Sequence, residues 1–172
     1  MRSTRLASVD DPPSEQPGPS SSRSNDSDFT TFYRAEHEPQ VRRAALMLGS
    51  GEAAHDVVHE AMASMYRRWS TIDAPGSYLN RAVLNGCRAV VRTRVADRRM
   101  EQRLRPIDND SSHNELLFDV LARLPFNQRA AVVMRYFAGI TEPEIADALD
   151  TRPGSIGPWI HRALTTMRKE LS

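Results

Sequence analysis

Apolar residues recur at three- and four-residue steps along almost the whole chain after Phe29, and no alternating run is long enough to make a strand. This period follows the 3.6-residue turn of an α-helix and gathers each apolar set on one helix face. The expected fold is therefore all-α. Phe29, Phe32, Tyr33, Val41, Ala44, Ala45 and Leu48 define a first face, with Pro39 placed to break or start a helix within it. Gly49-Ser50-Gly51 punctuates the chain. Ala54, Val57, Val58, Ala61, Met62, Met65, Tyr66 and Trp69 share the next face. After a short loop, Ser70 to Gly76, a third helix is predicted from Ser77 to Ala96, with Tyr78, Leu79, Ala82, Val83, Val90 and Val91 as its core side. Three helices with short connections predict one small domain over residues 29–96.

A second helical domain is expected over residues 114–172. Leu116, Leu117, Val120, Leu121 and Leu124 form one face; Pro125 starts a helix carrying Ala130, Val133, Met134 and Phe137, and Gly139 ends it. Thr141-Glu142-Pro143-Glu144 reads as a capping box opening a short helix that ends near Leu149. Asp150 to Gly154 reads as a turn, and Ser155 opens a last helix with Ile156, Ile160, Ala163, Leu164, Met167 and Leu171 on one side. The polar stretch 97–113 is expected to be a flexible linker. Residues 1–28 hold eight serines and four prolines, with Leu6 and Val9 as the large aliphatics. So little apolar surface does not offset ordering entropy, and a disordered tail is expected.

The 23 basic and 22 acidic residues nearly cancel, but not locally. Residues 29–105 carry a net charge of +5, and the segments on either side carry −2 each. Arg88, Arg92, Arg94, Arg98, Arg99, Arg103 and Arg105 face only Asp97 and Glu101. Such a cluster suits a polyanion; a solvated helix face accounts for it equally well. All but one of the basic residues are arginine, whose planar fork binds phosphate bidentately and stacks on bases. The longest apolar runs, Ala44 to Leu48 and Ala130 to Met134, fall far short of the roughly 20 residues of a membrane span. No secretory signal follows Met1-Arg2, and the lone Cys87 makes no internal disulfide. A cytoplasmic protein without a cysteine-rich metal site is expected.

Two constellations bear on function. Between Glu142 and Leu164, Ala146 supplies the small residue at which the helices of a helix-turn-helix cross, and Ile145, Leu149, Ile156, Trp159 and Ile160 supply its apolar contacts. An ordinary helical hairpin has the same spacing, and Asp150 stands where such turns favour glycine. His55 and His59 share a face at i and i+4, as zinc ligands do. A third ligand from His37, His113, His161 or a carboxylate has no motif support, and a polar helix face is the simpler account. No Ser-His-Asp pattern and no glycine-rich phosphate loop is present. No catalytic residue, metal site or cofactor is expected.

Segments of both domains resemble one family. Phe32-Tyr33-Arg34, Asp56-Val57-Val58-His59-Glu60-Ala61, Tyr66-Arg67-Arg68-Trp69 and Tyr78-Leu79-Asn80-Arg81-Ala82-Val83-Leu84-Asn85 resemble region 2 of extracytoplasmic-function sigma factors, minimal members of the sigma-70 family, of the actinobacterial sigma-E-like type. The run from Leu124 to Phe137, then Glu144-Ile145-Ala146-Asp147-Ala148-Leu149 and Gly154-Ser155-Ile156-Gly157-Pro158, resembles region 4 and its helix-turn-helix. The resemblance implies a non-catalytic promoter-recognition subunit. Asp56, His59 and Glu60 would bind the clamp coiled coil of the polymerase β′ subunit. The Ser70 to Gly76 loop would capture a flipped base, and Asn80, Arg81, Asn85, Arg88 and Arg92 would contact the opened minus-10 strand. Asn85 serves equally well as a structural hydrogen-bonder, and Trp69 would stack on a base or pack in the core. The second domain would read the minus-35 element through Arg152, Ser155, Gly157, Trp159, His161 and Arg162 and would touch the β flap, with the linker threading the RNA exit path. An anti-sigma partner is common in the family. His59 replaces a usual glutamine, Ala89 stands where many relatives have aspartate, and Gly157-Pro158-Trp159 replaces a more basic run. The alternatives are a stand-alone helix-turn-helix regulator of duplex DNA, a zinc hydrolase built on His55 and His59, and a helical adaptor.

Overall fold

The computed structural model describes residues 19–101 and 115–171, with side chains over 25–96 and 116–171. Seven α-helices make up this part: α1 (Pro19–Leu48), α2 (Gly51–Tyr66), α3 (Pro75–Glu101), α4 (Glu115–Arg123), α5 (Phe126–Phe137), α6 (Glu142–Ala148) and α7 (Ile156–Glu170). Single 3-10 turns, Trp69–Thr71 and Pro153–Ser155, precede α3 and α7.

The apolar spacing places the first three helices as expected. Val41, Ala44, Met47 and Leu48 of α1 pack on Ala54, Val57, Val58, Ala61, Met62 and Met65 of α2 and on Leu79, Val83, Leu84 and Cys87 of α3. The Ser50 hydroxyl caps α2 by accepting from the Ala53 N–H at 3.3 Å. Burial pushes the Cys87 thiol up to about 12, so it behaves as a small apolar filler. Helices α4 to α7 form the second unit, with Leu121, Val133, Ile145, Ile156 and Ala163 fully buried. The two units touch: α1 lies against α4 and α5, and α3 against α5 and α6, so one apolar cluster runs through both.

Three boundaries differ from expectation. Helix α1 starts at Pro19, so the last ten residues assigned to a disordered tail are helical; residues 1–18 lie outside the described residues. A long helix extends cheaply once nucleated, and here a tertiary contact anchors the extension. Tyr66 donates to an Asp26 carboxylate oxygen at 3.0 Å, which holds the phenol above its usual pKa. The Phe29 ring sits 4.9 Å from Tyr66 and 5.2 Å from Trp69. Helix α1 also runs through Pro39 without ending. Proline removes one backbone bond there, but Phe32 before it and Val41 and Ala44 after it pack on the same core, which holds both halves in line. At its far end α3 continues to Glu101, past the predicted Ala96 and into the segment assigned to the linker. Its last turns are rich in arginine, a good helix former. Residues 102–114 lie outside the described residues.

Helices α2 and α3 are in close contact at Gly86. A Cβ added there would come within 2.7 Å of Val57 Cγ1. Gly86→Ala is expected to destabilise the first domain by about 1–3 kcal/mol through overpacking. Adding Val57→Ala, which clears the methyl groups, is expected to restore part of the loss relative to Val57→Ala alone. Urea unfolding of the four variants in a double-mutant cycle measures the coupling.

Candidate nucleic-acid interface

Of the two arrangements its spacing allows, the helix-turn-helix forms, with α6 and α7 joined through the turn at Asp150. Ala146 is 1% exposed, and Ile145, Leu149, Ile156 and Ile160 are buried around it. Helix α6 opens on the Thr141–Glu144 capping box. The Glu144 carboxylate accepts from the Thr141 N–H at 3.0 Å and from its hydroxyl, and these bonds hold its pKa below the ordinary glutamate range. The turn then passes through Asp150, which has φ +52°. That left-handed conformation is the reason such turns favour glycine; aspartate is among the side chains that tolerate it.

The residues expected to meet DNA fall into distinct environments. On α7 and the turn before it, Arg152, His161 and Arg162 are exposed. Ser155 and Gly157 are half-buried, and Trp159 packs against the apolar cluster. On α3, Arg81, Asn85 and Arg92 are exposed, whereas Asn80 and Arg88 are half-buried. Asn80 accepts a 2.8 Å bond from the buried Gln40 amide, so its carbonyl oxygen already has a partner within the domain. Arg88 donates to the Leu149 carbonyl at 3.4 Å and lies 5.9 Å from the centre of the Phe126 ring. Arg81 stands 4.0 Å from the Asp147 carboxylate. Arg94, counted in the basic cluster, donates to the Leu48 carbonyl at 2.6 Å and serves the fold. Trp69 is partly buried and packs against Phe29 and Phe32, each ring 5.2 Å away, as a core residue would. A cavity of about 450 Å³ opens at the Ser70 to Gly76 loop, lined by Thr71, Ile72, Asp73, Tyr78, Arg81 and Asp147.

On α2, Asp56, His59 and Glu60 are exposed on one face, with Glu60 4.0 Å from Arg67. The His55 ring does not stand with this group alone; it lies 5.9 Å from His37, which stacks on Tyr33 at 4.9 Å. Among the described residues no three histidine, cysteine or acidic side chains gather as metal ligands.

Sequence reasoning missed Gln40, Arg129 and Asp147. Arg129 donates to the Met47 carbonyl at 2.6 Å and to the Ala122 and Leu124 carbonyls at 2.9 and 3.1 Å. Burial pushes its pKa down. The available signal was a cation set directly before the apolar run Ala130 to Met134.

A three-helix unit with a cationic third helix, followed by a helix-turn-helix unit, defines a two-part DNA-binding protein. Comparison with known proteins makes the class specific. The model of Sigma-70 region 2 matches residues 33–99, and that of Sigma-70 region 4 matches residues 114–167. The RNA polymerase sigma-E factor of Streptomyces coelicolor is 30% identical over 152 residues, covering 84% of this chain and 86% of the relative. The sigma-E factor of Streptomyces avermitilis is 28% identical, covering 84% and 85%. Among solved structures, the sigma factor RpoE of Bartonella quintana, in complex with the anti-sigma factor NepR, aligns with a TM-score of 0.71 at 16% identity, covering 84% of this chain and 96% of that one. CnrH, in complex with the cytosolic domain of CnrY, aligns at 0.63 and 20% identity, covering 83% and 86%. The chain belongs to the sigma-70 family of RNA polymerase sigma factors, in its extracytoplasmic-function group. The stand-alone regulator is not favoured, because the first domain matches region 2 and not a dimerisation or effector module.

Asp150→Gly is expected to stabilise the second domain by up to about 1 kcal/mol, since glycine adopts positive φ without steric cost. Thermal unfolding of the full chain, followed at both tryptophans, checks the direction.

Proposed function

We propose that this sigma factor binds core RNA polymerase in the cytoplasm through Asp56, His59 and Glu60, opens the minus-10 element with α3 and the Ser70 to Gly76 loop, and reads the minus-35 element with α7. It has no catalytic activity of its own. On this reading residues 29–96 act on the polymerase clamp and the minus-10 element, residues 97–113 thread the RNA exit path, and residues 114–172 act on the minus-35 element and the β flap. Promoter DNA and core polymerase are the obligatory partners, and an anti-sigma protein is a further one. The observation carrying the reading is the exposed row Arg81, Asn85 and Arg92 on α3, beside a cavity large enough for a base. Cations along a single strand and a pocket for an extruded base are what strand opening requires. For the second domain, exposed Arg152, His161 and Arg162 carry the duplex contacts. Trp159, partly buried against the apolar cluster, shapes the recognition helix and leaves part of its ring open to the DNA side.

The test is run-off transcription with bacterial core polymerase and genomic fragments, beside a core-only control. Start sites that depend on this protein are expected. Reversing charge with Asp56→Arg and Glu60→Arg is expected to lower core binding about tenfold or more, as for truncated charge pairs at interfaces. Core binding equal to wild type removes these residues from the polymerase contact.

Arg92→Ala is expected to lower the magnitude of the salt slope of promoter binding by roughly 0.7–0.9, the contribution of one lost phosphate contact. An unchanged slope in a titration of potassium chloride removes Arg92 from the strand contact.

A further inference from the structure

Gln40 is the one buried polar side chain among the described residues, 2% exposed, and it stands between Pro39 and Val41 on α1. A buried amide costs free energy unless it is hydrogen-bonded, and an apolar residue of similar size would fill the same space without that cost. Its Nε2 donates to Asn80 Oδ1 of α3 at 2.8 Å. We propose that Gln40 is a positioning residue: it fixes the Asn80 carboxamide with its oxygen toward the core, so that Asn80 offers the minus-10 strand N–H donors alone and selects a keto base. The inference rests on the proposed contact of Asn80 with that strand.

The orientation follows from the chemistry of the amide. A carboxamide carries its acceptor and its two donors on opposite sides of one carbon. With the oxygen bound toward α1, the nitrogen faces away from it, and among the described residues that nitrogen has no hydrogen-bond partner. Asn80 is half-buried and lines a cavity of about 330 Å³ together with Ser77, one turn earlier on α3. The opposite wall of this cavity, on α6, carries the Glu144 and Asp147 carboxylates. Both are acceptors, a setting that suits an amide nitrogen facing the cavity and not a carbonyl. Ser77 also lines the cavity at the Ser70 to Gly76 loop, so the Asn80 donors stand next to the pocket proposed for the flipped base.

The consequence is a choice of base. An unrestrained asparagine reads adenine with both of its groups, accepting from N6 and donating to N7. Asn80, held by Gln40, has no acceptor to offer. Its donors fit O4 of thymine or O6 of guanine, and they meet an amino group head-on at adenine N6 or cytosine N4. Gln40 itself touches no base; it acts from the core side of α3.

The test is run-off transcription with core polymerase from a barcoded promoter pool randomised across the minus-10 element. With the parent protein, one position is expected to favour thymine or guanine over adenine or cytosine about tenfold. Asn80→Asp keeps the bond from Gln40 and turns a carboxylate oxygen to the strand, so the preference at that position is expected to reverse. Gln40→Leu frees the amide to rotate, and adenine at that position is expected to gain about three- to tenfold against thymine. The other positions keep their preferences in both variants. A merely structural role for Gln40 would instead lower transcription at all sequences alike. Thermal unfolding shows which variants are folded, and Asn80→Asp carries the test alone should Gln40→Leu fail to fold. Unchanged preference at every position in the folded variants overturns the proposal. The sigma reading fails separately, if the parent protein with core polymerase yields no dependent transcript. The orientation is then read in the free protein from exchange of the side-chain amide protons by NMR. Protection at Gln40 with fast exchange at Asn80 is expected, and protection at Asn80 that Gln40→Leu abolishes overturns it.

Discussion

The carbonyl end of α1 is the joint on which the molecule depends. A helix leaves its last carbonyls without intrahelical partners and carries negative charge there. Helix α1 has no basic residue in its own last turn, and Gly49 follows at φ +64° to reverse the chain. The charge is met from outside. Arg94 of α3 binds the Leu48 carbonyl and Arg129 of α5 binds the Met47 carbonyl, each at 2.6 Å. One helix end thus orients the third helix of its own domain and the second domain together. Arg129 bears a cost for this, because its Nε is buried without a hydrogen-bond partner. Three carbonyl bonds from a charged donor offset that cost, at about 1.5–3 kcal/mol each before the burial penalty.

From this joint the chemistry of α3 follows. A guanidinium recognises a carbonyl, a carboxylate and a phosphate with the same planar fork. Arginines along one helix can therefore build the fold, hold a neighbouring domain and bind a nucleic acid without a change of residue type. Position along the helix decides which. Arg94 lies beside the α1 end and is structural; Arg88 reaches the α6 end and is shared between domains; Arg92, between them in sequence, points outward. Arg88 and Arg92, four residues apart, lie on one side of the helix, and Arg94 lies on another, since a helix turns about 100° per residue.

Much of this was legible in the sequence. The 3.6-residue period located all seven helices, and the Thr141–Glu144 box marked the start of α6 to the residue. Ala146 was identifiable as the helix crossing because close packing needs a small side chain there. What could not be read has a common physical cause: it depends on distant partners. The helical turns before Phe29 look like a polar tail until Tyr66 is placed beside Asp26, 40 residues on. Pro39 looks like a breaker until both sides of it are seen on one core. Arg88 and Arg94 look like two more cations in a basic cluster until Leu149 and Leu48 present carbonyls to them. Local pattern carries element type; long-range hydrogen bonds decide what a polar residue in an element is for.

The uneven charge of the chain acquires a meaning from the same geometry. The recognition helix begins with Gly157-Pro158-Trp159, which brings no basic group, and residues 106–172 are net acidic. That helix has no acidic residue in its own first turn, but the Ile156 N–H already donates to the Pro153 carbonyl, Pro158 has none to offer, and a Glu142 carboxylate oxygen lies close to Gly157. On the proposed reading, grip on duplex DNA rests on Arg152, His161 and Arg162, fewer charges than a basic helix would bring. The acidity of this domain suits its place against the arginines of α3. Were α6 and its surroundings basic, the first domain's arginines would repel them, and the two units would meet only through the apolar seam at α1.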